Sequence, residues 1–227
     1  MAILVRHVID DASKILADEG TRRNWPQADL LRWLNLAEKA ICMVKPDAFQ
    51  AVRPVVLSVG TLQSIPNDCT MLGRVTRNMG GNGTTPGKTV SEIPIDIMDL
   101  HEDWHTDTAA SVIKHFIRIP DNPRSYYVYP PAASGVYVEI SCPAIPADLS
   151  ETNFTTGTVA INLPDIYHNP ILELILFRAF DTLSSNIAGM QEKSNAALSR
   201  GIQMLTGRSD AEAETKARSV MAQPGRP

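Results

Sequence analysis

The part of the sequence that most constrains the fold lies between residues 116 and 142. Three short runs within it, 116–119, 126–129 and 136–141, alternate apolar and polar side chains, as strands with one buried face do. Prolines lie in both gaps between the runs, together with asparagine in the first gap and glycine in the second. These residues favour turns and interrupt strands. The pattern predicts an antiparallel meander of three strands.

Helical patterns lie on both sides of this meander. Near the start of the chain, residues 3–17 and 27–44 carry apolar side chains at helical spacing, and Pro26 suits a first helical turn. Toward the other end, residues 164–188 are apolar on nearly every side of a helix, which predicts a largely buried helix. A last helix is predicted over residues 191–205.

The order of these elements predicts an α+β fold. Helices from both chain ends form a helical bundle, and an antiparallel β module is inserted between them. The predicted parts are a helical hairpin over 1–48, a β-rich module with a short acidic helix over 49–163, C-terminal helices over 164–206 and a tail over 207–227. Residues 51–59 are predicted to form an edge or bulged strand, because Pro54 cannot donate a ladder hydrogen bond.

Composition excludes several classes of function. The net charge of -4 provides no basic footprint for nucleic acid. No apolar run approaches the roughly 18 residues that a membrane helix needs, and the first residues lack the pattern of a secretory signal. We find no cofactor-binding motif. The three cysteines include no CxxC pair, which predicts reduced thiols in a cytosolic setting.

One segment matches a catalytic motif. His101, Glu102 and His105 fit H-E-x-x-H, in which two histidines one helical turn apart bind zinc and the glutamate is a general base. A catalytic zinc needs a third protein ligand, and the candidate, Glu139, lies inside the predicted meander. The competing interpretation is an acidic surface helix over residues 91–104, anchored by Trp104. A zinc-dependent hydrolase is therefore kept as the alternative function.

Four segments occur in an order that resembles the head-to-tail adaptor proteins of tailed bacteriophages, most closely those of short-tailed phages. They are ADLLRWLNLAEKAI shortly after Trp25, MDLHEDWH, RSYYVYPPAASGVYVEISC and YHNPILELILFRAFDTL. The resemblance covers most of residues 1–205. It implies a structural virion protein rather than an enzyme, with no catalytic residues, a helical body and an inserted sandwich-like β module.

The same resemblance implies how such a protein assembles. Adaptors of this kind form homo-oligomeric rings, usually of twelve copies, between the portal and the tail, and leave a channel through which DNA passes during ejection. The implied partners are further copies of the chain, the portal protein and a tail or nozzle protein, with no membrane. We expect assembly in the host cytoplasm and a place at the head–tail interface of the virion. A tail-completion protein is a further alternative.

The C-terminal region differs in charge from the rest of the chain. From Gln191 onward it holds six bases and four acids, a net charge of +2, which leaves -6 for the remainder. We predict that this region contacts the portal through Arg200, Arg208, Lys216 and Arg218.

Overall fold

The structure of this chain is a computed structural model that describes residues 3–18, 24–150 and 157–207. The chain divides into two compact units. One unit combines Met1–Lys45 with Ala147–Pro227, and the other is the continuous segment Pro46–Pro146. Helices from both chain ends and antiparallel sheets in the middle confirm the predicted α+β fold. The four-part division of the sequence stays a prediction, and its tail from residue 208 onward lies outside the described residues.

In the unit formed by both chain ends, the helices agree closely with the spans predicted from the sequence. In the described part of the chain they are α1 (Val5–Ile15), α2 (Gln27–Val44), α3 (Ile95–Met98), α4 (His168–Leu183) and α5 (Met190–Thr206), with 3₁₀ turns at Pro46–Ala48 and Asp165–Tyr167. None of these helices is long and apolar enough to cross a membrane.

In the helical unit, α5 packs along α4 through a stripe of mostly small side chains. Ser194, Ala197 and Gly201 are buried on one side of α5. Small residues three or four positions apart share one helix face and allow close approach of the neighbouring helix. The loop before α2 is held to α4 by the indole of Trp25, whose Nε1 donates to the carbonyl oxygen of Ala179 at 3.3 Å.

Helix α2 also fixes the irregular segment that precedes α4. Asn35 donates from Nδ2 to the carbonyl oxygen of Leu149 and accepts from its amide, both at 3.0 Å. One turn further along α2, the buried carboxylate of Glu38 accepts from the Asn162 amide at 2.8 Å and from its Nδ2 at 2.7 Å. Backbone groups that no helix or strand can pair are thereby satisfied by side chains of α2.

The carboxyl of Glu38 should make stability depend on pH. Burial raises its pKa above the ordinary 4.5, and the hydrogen bonds from Asn162 and Leu163 oppose this only in part. The folded chain therefore binds this proton more readily than the unfolded chain. The unfolding free energy consequently falls as pH rises from about 4.5 toward the raised value, by about 1.4 kcal/mol per unit of pKa difference.

Glu38→Gln removes this titration, so the stability of the unchanged chain relative to the variant should decrease across that pH range. Urea unfolding of both proteins between about pH 4 and pH 8 measures the difference. A difference that stays flat or grows with pH would contradict the assignment.

The second unit is a sandwich of two four-stranded sheets. Its strands are β1 (Gln50–Val56), β2 (Gly60–Ser64), β3 (Arg74–Met79), β4 (Pro86–Thr89), β5 (Ser91–Glu92), β6 (His115–Arg118), β7 (Ser125–Ala132) and β8 (Tyr137–Pro143). The first sheet has the order β1-β8-β3-β4 and the second the order β2-β7-β6-β5. Neighbouring strands are antiparallel except β5 and β6, which are parallel.

The predicted three-stranded meander is wrong in its last step. Strands β6 and β7 form the expected hairpin, but β8 pairs with β1 and β3 in the opposite sheet. Residues 133–136 carry the chain across the sandwich. Alternation along each run correctly marks the strands, but it cannot distinguish a neighbour in the same sheet from a strand in the facing sheet.

Strand alternation places the core between the two sheets. Val75, Val138 and Ile140 of the first sheet face Phe116 and Val128 of the second, all fully buried. Residues of the opposite parity therefore point outward from each sheet. Strand β1 is an edge strand, as Pro54 predicted. Two of the connections between the sheets are very short, since residues 57–59 join β1 to β2 and Val90 alone joins β4 to β5.

Asn78 is a buried polar connection between the sheets. On β3 its Nδ2 donates to the carbonyl oxygens of Lys88, at 3.0 Å, and Ile113, at 2.7 Å. Its Oδ1 accepts from the amide of Ile113 at 2.7 Å. Ile113 lies just before β6. The Asn78 side chain is therefore hydrogen-bonded both to backbone of the first sheet, at Lys88, and to backbone that leads into the second sheet, at Ile113.

The prediction of three reduced thiols is wrong. Cys69 and Cys142 form a disulfide with a Cα–Cα distance of 5.8 Å, and Cys42 is free and buried in α2. The paired cysteines are 73 residues apart in the sequence. They meet because the segment before β3 and the end of β8 lie side by side, which the sequence pattern alone does not reveal.

Candidate functional site

The segment that matched H-E-x-x-H is not helical. Helix α3 ends at Met98, and residues 101–107 form turns, so the predicted helix over 91–104 is wrong for most of its length. The start of the predicted helix is instead strand β5, which pairs with β6. Tertiary pairing and burial of Trp104 against the sheet override the helical pattern here.

The two histidines of the motif bind different partners. His101 Nε2 lies 3.0 Å from Asp107 Oδ2, whereas His105 Nδ1 lies 2.9 Å from the hydroxyl of Thr61. Asp107 also accepts from the phenol of Tyr129 at 2.9 Å. The pKa of Asp107 is lowered mainly by its hydrogen bond with His101 and further by its hydrogen bond with Tyr129. The hydrogen bond to Asp107 in turn raises the pKa of Tyr129. The geometry is that of a hydrogen-bonded surface segment.

These donors do not fit a zinc site. Zinc requires ligand atoms that converge on one point, whereas His101 and His105 are each engaged by separate groups. Glu139 lies on β8 in the first sheet, where it accepts from Arg77 at 2.8 Å. Across the described ranges, no group of three or more histidine, cysteine or acidic residues could hold a metal ion. We therefore derive no hydrolytic step from this segment.

The same segment forms what we call the acidic cap, residues 95–107. Trp104 is its anchor, only 2% exposed, with its ring stacked on His105 at 3.6 Å and edge-on to Tyr127 at 5.4 Å. Together with Met98 it packs on Ile117 of β6. Ile117 and Tyr127 have the opposite parity to the core residues of their strands, so the acidic cap covers the outer face of the second sheet.

The acidic cap carries charge of one sign and exposed apolar groups. Its acids are Asp96, Asp99, Glu102, Asp103 and Asp107, and residues 95–107 include no lysine or arginine. Between these acids, Ile97 is 57% exposed and Leu100 is 85% exposed. An apolar pair rimmed by charge is typical of a surface that binds another protein.

The outer face of the first sheet is the second unusual surface, which we call the open face. It is formed by the outward side chains of β1, β8 and β3, chiefly Val52, Val56, Tyr137, Glu139, Arg74 and Arg77. Val52 is 62% exposed and Val56 is 59% exposed, which is high for valines on a sheet. The Arg77–Glu139 pair lies in its middle.

The predicted portal-binding residues are only partly described. Arg200 on α5 forms a bidentate pair with Glu173 of α4, through Nε to Oε1 and Nη2 to Oε2, both at 2.9 Å. Its side chain remains about half exposed. Arg208, Lys216 and Arg218 lie outside the described residues. The structure therefore places Arg200 in the contact between α4 and α5, and it does not test the group as a whole.

Sequence reasoning identified the acidic segment as a surface anchored by Trp104, although in the wrong conformation, and it missed the open face. Signals for both were present, since Val52 and Val56 flank an edge-strand proline, and the acids of 95–107 alternate with large apolar residues. Only the pairing of β8 with β1 shows that the valines share one outward face.

Comparison with protein families identifies a match over almost the whole chain. The family model of the SU10 adaptor protein matches residues 4–224. A search of curated proteins found no match. The family match confirms the resemblance to phage adaptors, while the short-tailed subtype stays a prediction. The helical frame, the inserted sheets and a surface segment in place of a zinc site agree with a binding role. The chain belongs to the SU10 adaptor protein family and is a structural adaptor of a bacteriophage.

Proposed function

We propose that this chain is the connector that joins the portal to the tail of the virion. Copies assemble in the host cytoplasm into a homo-oligomeric ring, with twelve as the expected number, and leave a channel for DNA. The phage is expected to be short-tailed. The observation that carries the proposal is the adaptor family match over residues 4–224. The mechanism is binding, without a chemical step.

We further propose that the C-terminal region contacts the portal. Its net charge of +2 contrasts with -6 for the rest of the chain, which favours an acidic partner surface. Arg200, Arg208, Lys216 and Arg218 are the proposed contacts. The pairing of Arg200 with Glu173 leaves about half of its side chain accessible to a partner.

Truncation of the chain after Leu205 tests this assignment. We expect loss of portal binding with an unchanged circular dichroism spectrum, because the truncation leaves nearly all of α5 in place. Light scattering of the protein with and without purified portal measures binding. Alanine at Arg208, Lys216 and Arg218 should weaken binding, whereas alanine at the neighbouring acids Asp210, Glu212 and Glu214 is the matched control. Portal binding by the truncated chain would overturn the assignment.

The same samples separate the alternatives. A chain that binds a tail protein but not the portal would be a tail-completion protein. A stoichiometric zinc in the purified protein, together with a hydrolytic activity that Glu102→Gln abolishes without removing the zinc, would favour the hydrolase.

A further inference from the structure

We infer that the acidic cap of one copy docks on the open face of the next copy. The inference rests on the proposed ring, because it names the contact that would join neighbouring subunits. Both surfaces belong to the β unit of the same chain. They lie on opposite outer faces of the sandwich, since the acidic cap packs on the outward side of the second sheet and the open face is the outward side of the first.

The charges of the two surfaces are complementary. On the acidic cap, Asp96, Glu102 and Asp103 are exposed, and the segment has no lysine or arginine to offset them. On the open face, Arg74 of β3 is exposed and forms no ion pair with another described residue. The Arg77–Glu139 pair in the middle is neutral overall. Opposite fields on the two surfaces favour their association and disfavour contact between two equal surfaces.

The apolar residues are also matched. Ile97 and Leu100 project from the acidic cap, and Val52 and Val56 lie on the open face. Pro54 lies between the two valines in the outermost strand and lacks an amide hydrogen. This hinders the addition of a further strand along β1 and favours contact through the face of the sheet.

The occupant is a second copy because one chain carries both halves of the contact. A contact between two different surfaces of identical chains is head-to-tail, and it closes into a ring when the rotation between copies permits.

Charge reversal on each surface tests the inference with the full-length chain. The open-face variant is Arg74→Glu, and the cap variant is Glu102→Lys with Asp103→Lys. Each alone should weaken self-association at least tenfold, as measured by light scattering at increasing protein concentration, with and without portal. Both reversals in one chain should restore assembly. An equimolar mixture of the two variants should also assemble, because each acidic surface then meets a basic one.

Asp121→Lys is the control, because Asp121 is an exposed acid in the turn between β6 and β7, on neither surface. It should assemble like the unchanged chain. The inference is overturned if either variant alone assembles normally, if neither combination restores assembly, or if the unchanged chain binds portal only as separate single copies. If self-association is lost and restored by the charge reversals as expected but the rings never bind portal, the proposed connector function is overturned and the contact between copies still holds.

Discussion

Asn78→Ala is expected to lower the free energy of unfolding by about 3 to 5 kcal/mol, because unpaired buried backbone groups cost about 1–3 kcal/mol each. The substitution leaves the amide and carbonyl of Ile113 and the carbonyl of Lys88 without their side-chain partner. The hydrogen bond to the amide of Ile113 is fully buried in the unchanged chain. The loss should affect both sheets, because Asn78 on the first sheet is hydrogen-bonded to Ile113 in the segment that leads into the second.

Urea unfolding followed by tryptophan fluorescence measures this loss, and Asn82→Ala is the matched control. Asn82 lies in the loop after β3 and accepts one exposed hydrogen bond from the amide of Thr84 at 3.0 Å. Its replacement should cost no more than about 1 kcal/mol. Equal effects of the two substitutions would show that Asn78 does not connect the sheets.

Trp104→Ala should also be strongly destabilising, by about 3–5 kcal/mol, as is typical when a large buried aromatic side chain is removed. The indole fills the space between the acidic cap and the second sheet and contacts His105 and Tyr127. Without it, the remaining anchors of the cap are Met98, which packs on the second sheet, and the hydrogen bonds of His105 with Thr61 and of Tyr129 with Asp107. We expect the cap to detach locally before the sandwich unfolds.

Hydrogen exchange of the amides in residues 95–107 reports this detachment, together with the unfolding free energy. Leu100→Ala is the control, because Leu100 is 85% exposed in the monomer and its loss should change stability by less than about 0.5 kcal/mol. Trp104→Ala and Leu100→Ala should differ in their effect on the unfolding free energy, but both should weaken self-association. Unchanged exchange in Trp104→Ala would contradict the anchoring role.

The sequence predicted the local structure well where residues close together in the chain determine it. Residues 27–44 were predicted as a helix and form α2, since apolar spacing and the flanking Pro26 and Pro46 fix both ends. Pro54 likewise identified an edge strand, because its backbone chemistry excludes a central position.

Long-range pairing could not be predicted in the same way. The partner of β8 is determined by how two sheets face each other, and residues 133–136 look like any tight turn. The disulfide between Cys69 and Cys142 depends on that same pairing. The H-E-x-x-H match failed for a related reason, since strand pairing of residues 91–92 and burial of Trp104 removed the helix that the motif requires.

The division of the chain also sets the order in which its parts can fold during translation. When the ribosome has released Pro146, every strand of the sandwich is present, whereas α4 and α5 have not yet been made. Helices α1 and α2 then lack the partners that cover their apolar sides. Because domains generally fold as units during synthesis, the middle unit should reach its native form first. Helices α1 and α2 can pack fully only after α4 and α5 have been made. A nascent chain paused in this interval would expose α2, which makes the helical unit the part most in need of a chaperone.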